Sequence, residues 1–159
     1  MNRSLLLTFL LIFGACSKDE CQLPPDQSSA NPNPFQALAG SYQGSGIQIL
    51  SYMARDSAGN WQNQRDTSLM TFSAEVEDSS YSNALNYHLS FSSNWLHENE
   101  ILQDSVVLDS QEFYRGNFQG QIYGGTIVIE HQADSLFLEL NSGNVATACT
   151  FKLGALKKP

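Results

Sequence analysis

Three short stretches of this chain hold residue types able to do chemistry. His97-Glu98-Asn99-Glu100 sets an imidazole beside two carboxylates, donor types that borderline and hard cations take. In a strand, Glu98 and Glu100 share a face that His97 does not, and no second ligand cluster stands elsewhere in the sequence to converge on them. The stretch reads as a solvated loop. Glu75 and Glu77 stand two apart, a spacing that puts both carboxylates on one strand face and suggests glycoside chemistry. They alternate with Phe72, Ala74 and Val76 and so face water, whereas an acid catalyst needs a carboxyl desolvated enough to raise its pKa. Gly40-Ser41-Tyr42-Gln43-Gly44-Ser45-Gly46 is Gly-rich, but it lacks G-x-G-x-x-G spacing and no amphipathic helix follows to meet a phosphate. His88 belongs with Ser90 on a wet face and His131 lies beside a turn, neither with an evident partner. No G-x-S-x-G elbow, H-E-x-x-H or Cys-His arrangement occurs. The expectation is a protein that is not an enzyme and that uses no cofactor and no metal.

The elements that carry these residues follow from composition and period. The chain has 159 residues, 42% hydrophobic, 11% aromatic and 15% charged, which predicts a soluble globular protein with one folded domain. Lys and Arg total 8 against 16 Asp and Glu, a formal charge of −8, so the basic stripe that nucleic acid requires is missing. Three Cys without C-x-x-C spacing make neither a disulfide scaffold nor a zinc ribbon.

Arg3, the apolar run Leu5 to Phe13 and the small residues Gly14 and Ala15 read as a secretory signal over residues 1–15, since a run of about nine is too short for a bilayer span of about 20. Ile12-Phe13-Gly14-Ala15-Cys16 resembles the lipobox of bacterial lipoproteins, with Phe13 where Leu is usual. The resemblance implies cleavage before Cys16 and lipidation of its thiol. Ser17-Lys18-Asp19-Glu20 resembles the export signal of surface lipoproteins in the Bacteroidota, which implies an outer-membrane, lipid-anchored location facing the cell exterior. Residues 16–34, with Pro24, Pro25, Pro32 and Pro34 among Gln, Ser and Asn, read as a flexible spacer reaching roughly 50 Å.

Asn33-Pro34-Phe35-Gln36-Ala37-Leu38-Ala39-Gly40 predicts a short helical turn, with Asn33 as N-cap, Pro34 at the first helical position and Gly40 as the stop. Beyond it period two dominates. Phe72, Ala74 and Val76 alternate with polar neighbours, as do Tyr87, Leu89 and Phe91, then Leu136, Leu138 and Leu140, and finally Cys149, Phe151 and Leu153. One dry and one wet face mean antiparallel sheet. Runs near 41–53, 61–65, 68–77, 84–93, 101–109, 112–119, 121–131, 135–140 and 145–154 predict an all-β domain over 35–156. Its eight or nine strands form an up-and-down meander, closed as a barrel or flattened barrel. Phe35, Leu38, Gly40 and Tyr42 resemble the opening of lipocalin-type barrels, with Tyr42 in place of the usual Trp; the resemblance implies a barrel whose floor the aromatic closes.

Two functions fit this reading. In one, the lipocalin-like barrel binds a small apolar ligand along Phe72, Tyr87, Phe91, Trp95 and Phe151. In the other, the barrel is solid and exposed aromatics such as Tyr52, Trp61 and Tyr114 form a contact patch for an envelope protein. Cys21 and Cys149 are the thiols left for a disulfide, although Cys149 shares a face with Phe151 and Leu153 and also reads as a buried small hydrophobe. Asp56-Ser57-Ala58, Asp104-Ser105-Val106 and Asp134-Ser135-Leu136 resemble the O-glycosylation acceptor of the Bacteroidota, which implies modification at Ser57, Ser105 and Ser135; Asp-Ser is equally a turn opener.

Overall fold

The computed structural model describes residues 33–94, 98–120, 124–143 and 147–159. The signal segment, Cys16, Cys21, Trp95 and His97 lie outside them. A 3₁₀ turn, Gln36–Leu38, precedes eight strands: β1 (Gly40–Arg55), β2 (Trp61–Asp78), β3 (Ala84–Ser93), β4 (Asn99–Val107), β5 (Phe113–Gln119), β6 (Gly124–Gln132), β7 (Ser135–Gly143) and β8 (Thr147–Lys157). They form one antiparallel sheet in the order β4-β3-β2-β1-β8-β7-β6-β5. The first and last strands are therefore neighbours, registered from Tyr42–Lys157 to Tyr52–Thr147. The sheet curls into a nearly closed barrel whose remaining seam, between β4 and β5, is bridged by the single pair Ile101–Gly120. Closing a long twisted sheet on itself buries its dry face and removes exposed edges, and among the described residues the edges left unpaired are those of β4 and β5 at the seam and the ends of β1 and β2 beyond Tyr52 and Met70.

The alternation seen in the sequence is the inward set of side chains. Met70, Phe72, Ala74 and Val76 of β2, Leu85, Tyr87, Leu89 and Phe91 of β3, and Leu136, Leu138 and Leu140 of β7 are all buried in one cluster with Cys149, Phe151 and Leu153 of β8. β1 contributes Tyr42 to this core but then Gly44 and Gly46, because it runs against β8 so closely that a Cβ at Gly44 would overlap the carbonyl oxygen of Gly154. Close backbone approach at a coiling strand is the physical use of glycine here.

Three local expectations are corrected. The helical turn is 3₁₀, capped by Phe35 rather than Asn33, and it stops at Ala39, with Gly40 already the first residue of β1. Asn33 instead accepts the Phe35 N–H on Oδ1 at 2.9 Å while its Nδ2 donates to Asp78 Oδ1 and the Ala84 carbonyl, both at 2.6 Å, pinning the entering chain to the β2–β3 end. The runs 61–65 and 68–77 are one continuous strand, and β7 runs on to Gly143 instead of ending at 140. Asp104-Ser105 marks a bulge: the β3–β4 register slips between Leu85 and Tyr87, and Ser105 takes a left-handed φ of 52° with its N–H given to Asn86 Oδ1 at 2.5 Å.

β1 and β2 stay paired as far as Arg55–Trp61, but β8 covers β1 only to Tyr52 and β3 covers β2 only from Met70. Trp61–Leu69 is consequently paired on its β1 side alone, and with Met53–Arg55 it forms an arm that is two-stranded beyond Tyr52 and Gln64, turned by Asp56, whose Oδ1 accepts the N–H groups of Ala58 and Asn60 and whose Oδ2 accepts Gln62 Nε2. Those bonds, led by the one from Asn60, hold the Asp56 carboxyl below the ordinary carboxylate range.

Candidate interaction surface

The four described residues of the expected ligand lining do come together, inside the barrel. Phe72, Tyr87, Phe91 and Phe151 are each no more than 2% exposed, and the rings of Phe91 and Phe151 meet at a tilt of 54° with 5.2 Å between centroids. They touch one another and the aliphatic core.

Two polar groups interrupt that core, one near each end. Towards the 3₁₀ turn, Tyr42 donates its hydroxyl to the Leu38 carbonyl at 2.7 Å and meets His131 edge-on, 5.8 Å between centroids. His131 Nε2 lies 2.8 Å from the Tyr87 hydroxyl, and its Nδ1 is buried without a partner. His131 thus has a partner that the sequence did not disclose; it shares a face with Ile127 and Ile129, and that period-two relation is the signal that finds it. Burial, with Lys157 adding to it, lowers the imidazole pKa to about 4, and burial chiefly, with the charges of Asp134 and Glu112, pushes the Tyr42 phenol up to about 12. A neutral imidazole is what the site tolerates.

At the other end, Gln48 Oε1 accepts Ser93 Oγ at 2.6 Å and Ser68 Oγ at 3.4 Å, while its Nε2 reaches Cys149 Sγ at 3.4 Å. Cys149 is a buried free thiol whose pKa burial raises; its expected partner Cys21 lies outside the described residues. Asn99, opposite Phe91 at the start of β4, is fully buried with both amide atoms unpartnered.

The acidic candidates sit outside the barrel. Glu75 and Glu77 are exposed, Glu98 accepts Ser90 Oγ at 3.1 Å, and Glu100 stands 3.9 Å from His88 Nε2, so His88 too has a neighbour, at the surface. Among the described residues no group of three or more His, Cys, Asp and Glu is placed to hold a metal. Ser57 is exposed at the tip of the arm, Ser105 is exposed at the bulge, and Ser135 is half-buried at the start of β7.

The feature that stands out on the surface is the arm. Side chains alternate across it, so Met53 and Arg55 of β1 share the outward face with Trp61, Asn63, Arg65, Thr67 and Leu69 of β2, and Ile47, Ile49 and Ser51 continue that face on the barrel wall. Leu69 is 79% exposed, Trp61 61% and Met53 46%. The Arg55 guanidinium rides 4.9 Å above the Trp61 ring. The opposite face is polar, with the Tyr52 hydroxyl bonded to Asp66 Oδ2 at 2.9 Å. Along the arm the large apolar residues Met53, Trp61 and Leu69 look outward among polar neighbours. Of the expected contact aromatics, Trp61 belongs to this face, Tyr52 is half-buried on the other, and Tyr114 packs against the core near the β4–β5 seam. Leu69 and Met53 were missed because outward strand positions are expected to be polar.

Comparison of the chain with protein-family models, curated proteins and solved structures gave no match.

Proposed function

We infer that the chain is a non-catalytic lipoprotein, processed and acylated at Cys16 and carried on its Pro-rich spacer at the outer membrane, with a filled barrel that works through its outside. One observation supports this reading above the others: Phe72, Tyr87, Phe91 and Phe151, the side chains that would line a lipocalin-type cavity, are packed against each other in the barrel core. Packed protein interiors leave few voids larger than a water molecule, and an apolar ligand would have to push core side chains out of contacts whose loss on truncation costs about 2–5 kcal/mol each. Contact is then made by exposed apolar surface, of which the arm carries the most prominent stretch.

The unpartnered Asn99 amide favours a second reading, in which a small ligand seats at the Gln48 end of the barrel and completes that amide's hydrogen bonds. Titration of the purified protein with a fluorescent fatty acid separates the two. The first reading expects no saturable binding. Saturable binding that Asn99→Leu abolishes establishes the second reading in its place, and saturable binding that persists in Asn99→Leu returns the ligand to the aromatic interior.

A further inference from the structure

We propose that the outward face of the β1–β2 arm is a membrane-contacting surface that seats on an anionic lipid leaflet. The inference rests on the lipid-anchored reading and names what the anchored domain touches.

Three observations select lipid as the occupant. Charge is segregated: the protein as a whole carries −8, yet the charges on the outward face of the arm are Arg55 and Arg65. The ion pairs among the described residues are His88–Glu100 and Lys152–Glu139, so neither arginine is neutralised there. Both carboxylates of the arm are committed elsewhere, Asp56 to the amides of its own turn and Asp66 to Tyr52 on the opposite face. Second, the residue types match an interface. Trp places an amphipathic ring at head-group depth, arginine keeps its charge in the head groups while its stem lies along apolar surface, and Leu69 and Met53 supply the apolar contact. Third, Arg55 already lies over Trp61, so the cation and the ring arrive together at one depth.

The test uses the full chain with Cys16→Ala, so that no acyl group holds it, and Trp95→Phe, so that Trp61 is the sole tryptophan. It is mixed with vesicles of phosphatidylcholine alone or with phosphatidylglycerol, each carrying acyl chains brominated near the head group, which quench only a tryptophan they touch. The expected result is a blue shift and quenching of Trp61 with phosphatidylglycerol, much weaker with phosphatidylcholine alone and reduced by high salt. Replacing Arg55 and Arg65 with Gln should weaken partitioning into the anionic vesicles by about fivefold for each arginine. Unquenched Trp61 in both vesicle types overturns the proposal, as does a concentration-dependent shift of Trp61 without lipid, which would make the face a contact between copies of this chain. Equal quenching in both vesicle types overturns the anionic preference. Failure of the anchor is read separately, from the membrane fraction of the unmodified chain against Cys16→Ala.

Discussion

His131 sets a pH limit on this fold. It is folded in neutral form, with its pKa held near 4 by burial against 6.5 for the free side chain. Between those values the unfolded chain takes up a proton that the folded one refuses, so stability falls as pH drops through that window and levels off below it. The two values differ enough to remove about 3 kcal/mol across the window. Denaturant unfolding at pH 7 and near pH 4.5 should show wild type losing more stability than the double variant His131→Phe, Tyr87→Phe, which removes the imidazole and the hydroxyl together. Equal losses would mean that His131 is not the titrating group. Residues of this kind were only partly legible. The dry face of β6 could be followed from Ile127 through Ile129 to His131, but an imidazole next to a turn looks solvated until the closing strands cover it. Gln48 is hidden for the same reason: two glycines separate it from Tyr42 on the inward side of β1, so the period that would mark it as buried is interrupted.

At the scale of elements, strands that bury one face announced themselves and strands that bury none did not. Residues 68–77, 84–93 and 135–140 alternate because a core selects them. Asp66-Thr67 read as a break between two strands because there both side chains are exposed and neither meets the core, and pattern disappears where burial does. The β4–β5 seam was equally illegible: pairing across a gap is a property of the closed sheet, and nothing in either strand's sequence records it. That seam predicts where the fold opens first. β5 has a full ladder on one side only, to β6, and β4 only to β3. In hydrogen exchange read by mass spectrometry, residues 113–119 and the seam edge of 99–107 should lose protection well before β1, β7 and β8, whose ladders run on both sides. Uniform exchange around all eight strands would mean that the seam is sealed in solution.

For the whole molecule, the lipobox-like ending at Cys16 carries the strongest claim about place, and the barrel carries the claim about shape. They are tested apart. Cys16→Ala should move the protein from the membrane to the soluble fraction after cell breakage, because two or three acyl chains at about 0.8 kcal/mol per buried methylene hold far more tightly than the arm alone. Retention of the variant in membranes would place the main attachment elsewhere. The architecture of the domain could be read from alternation and turn spacing over residues 41–154, whereas the docking face could not. An apolar residue at an outward position looks like noise until Ile47, Ile49, Met53, Trp61 and Leu69 are seen side by side.

The pairing of β1 with β8 has one more consequence. The Lys157 ammonium donates to the Ala37 carbonyl and the Lys158 N–H to that of Ser41, so the domain begins and finishes at one place. A chain leaving the ribosome or crossing a membrane from its N-terminus can zip β1 to β4 as it emerges, but the ring stays a half-built arc until the final strand arrives. A circular permutant that joins these two places and opens at residues 108–112 would keep every ladder while turning the open seam into the two ends of the chain.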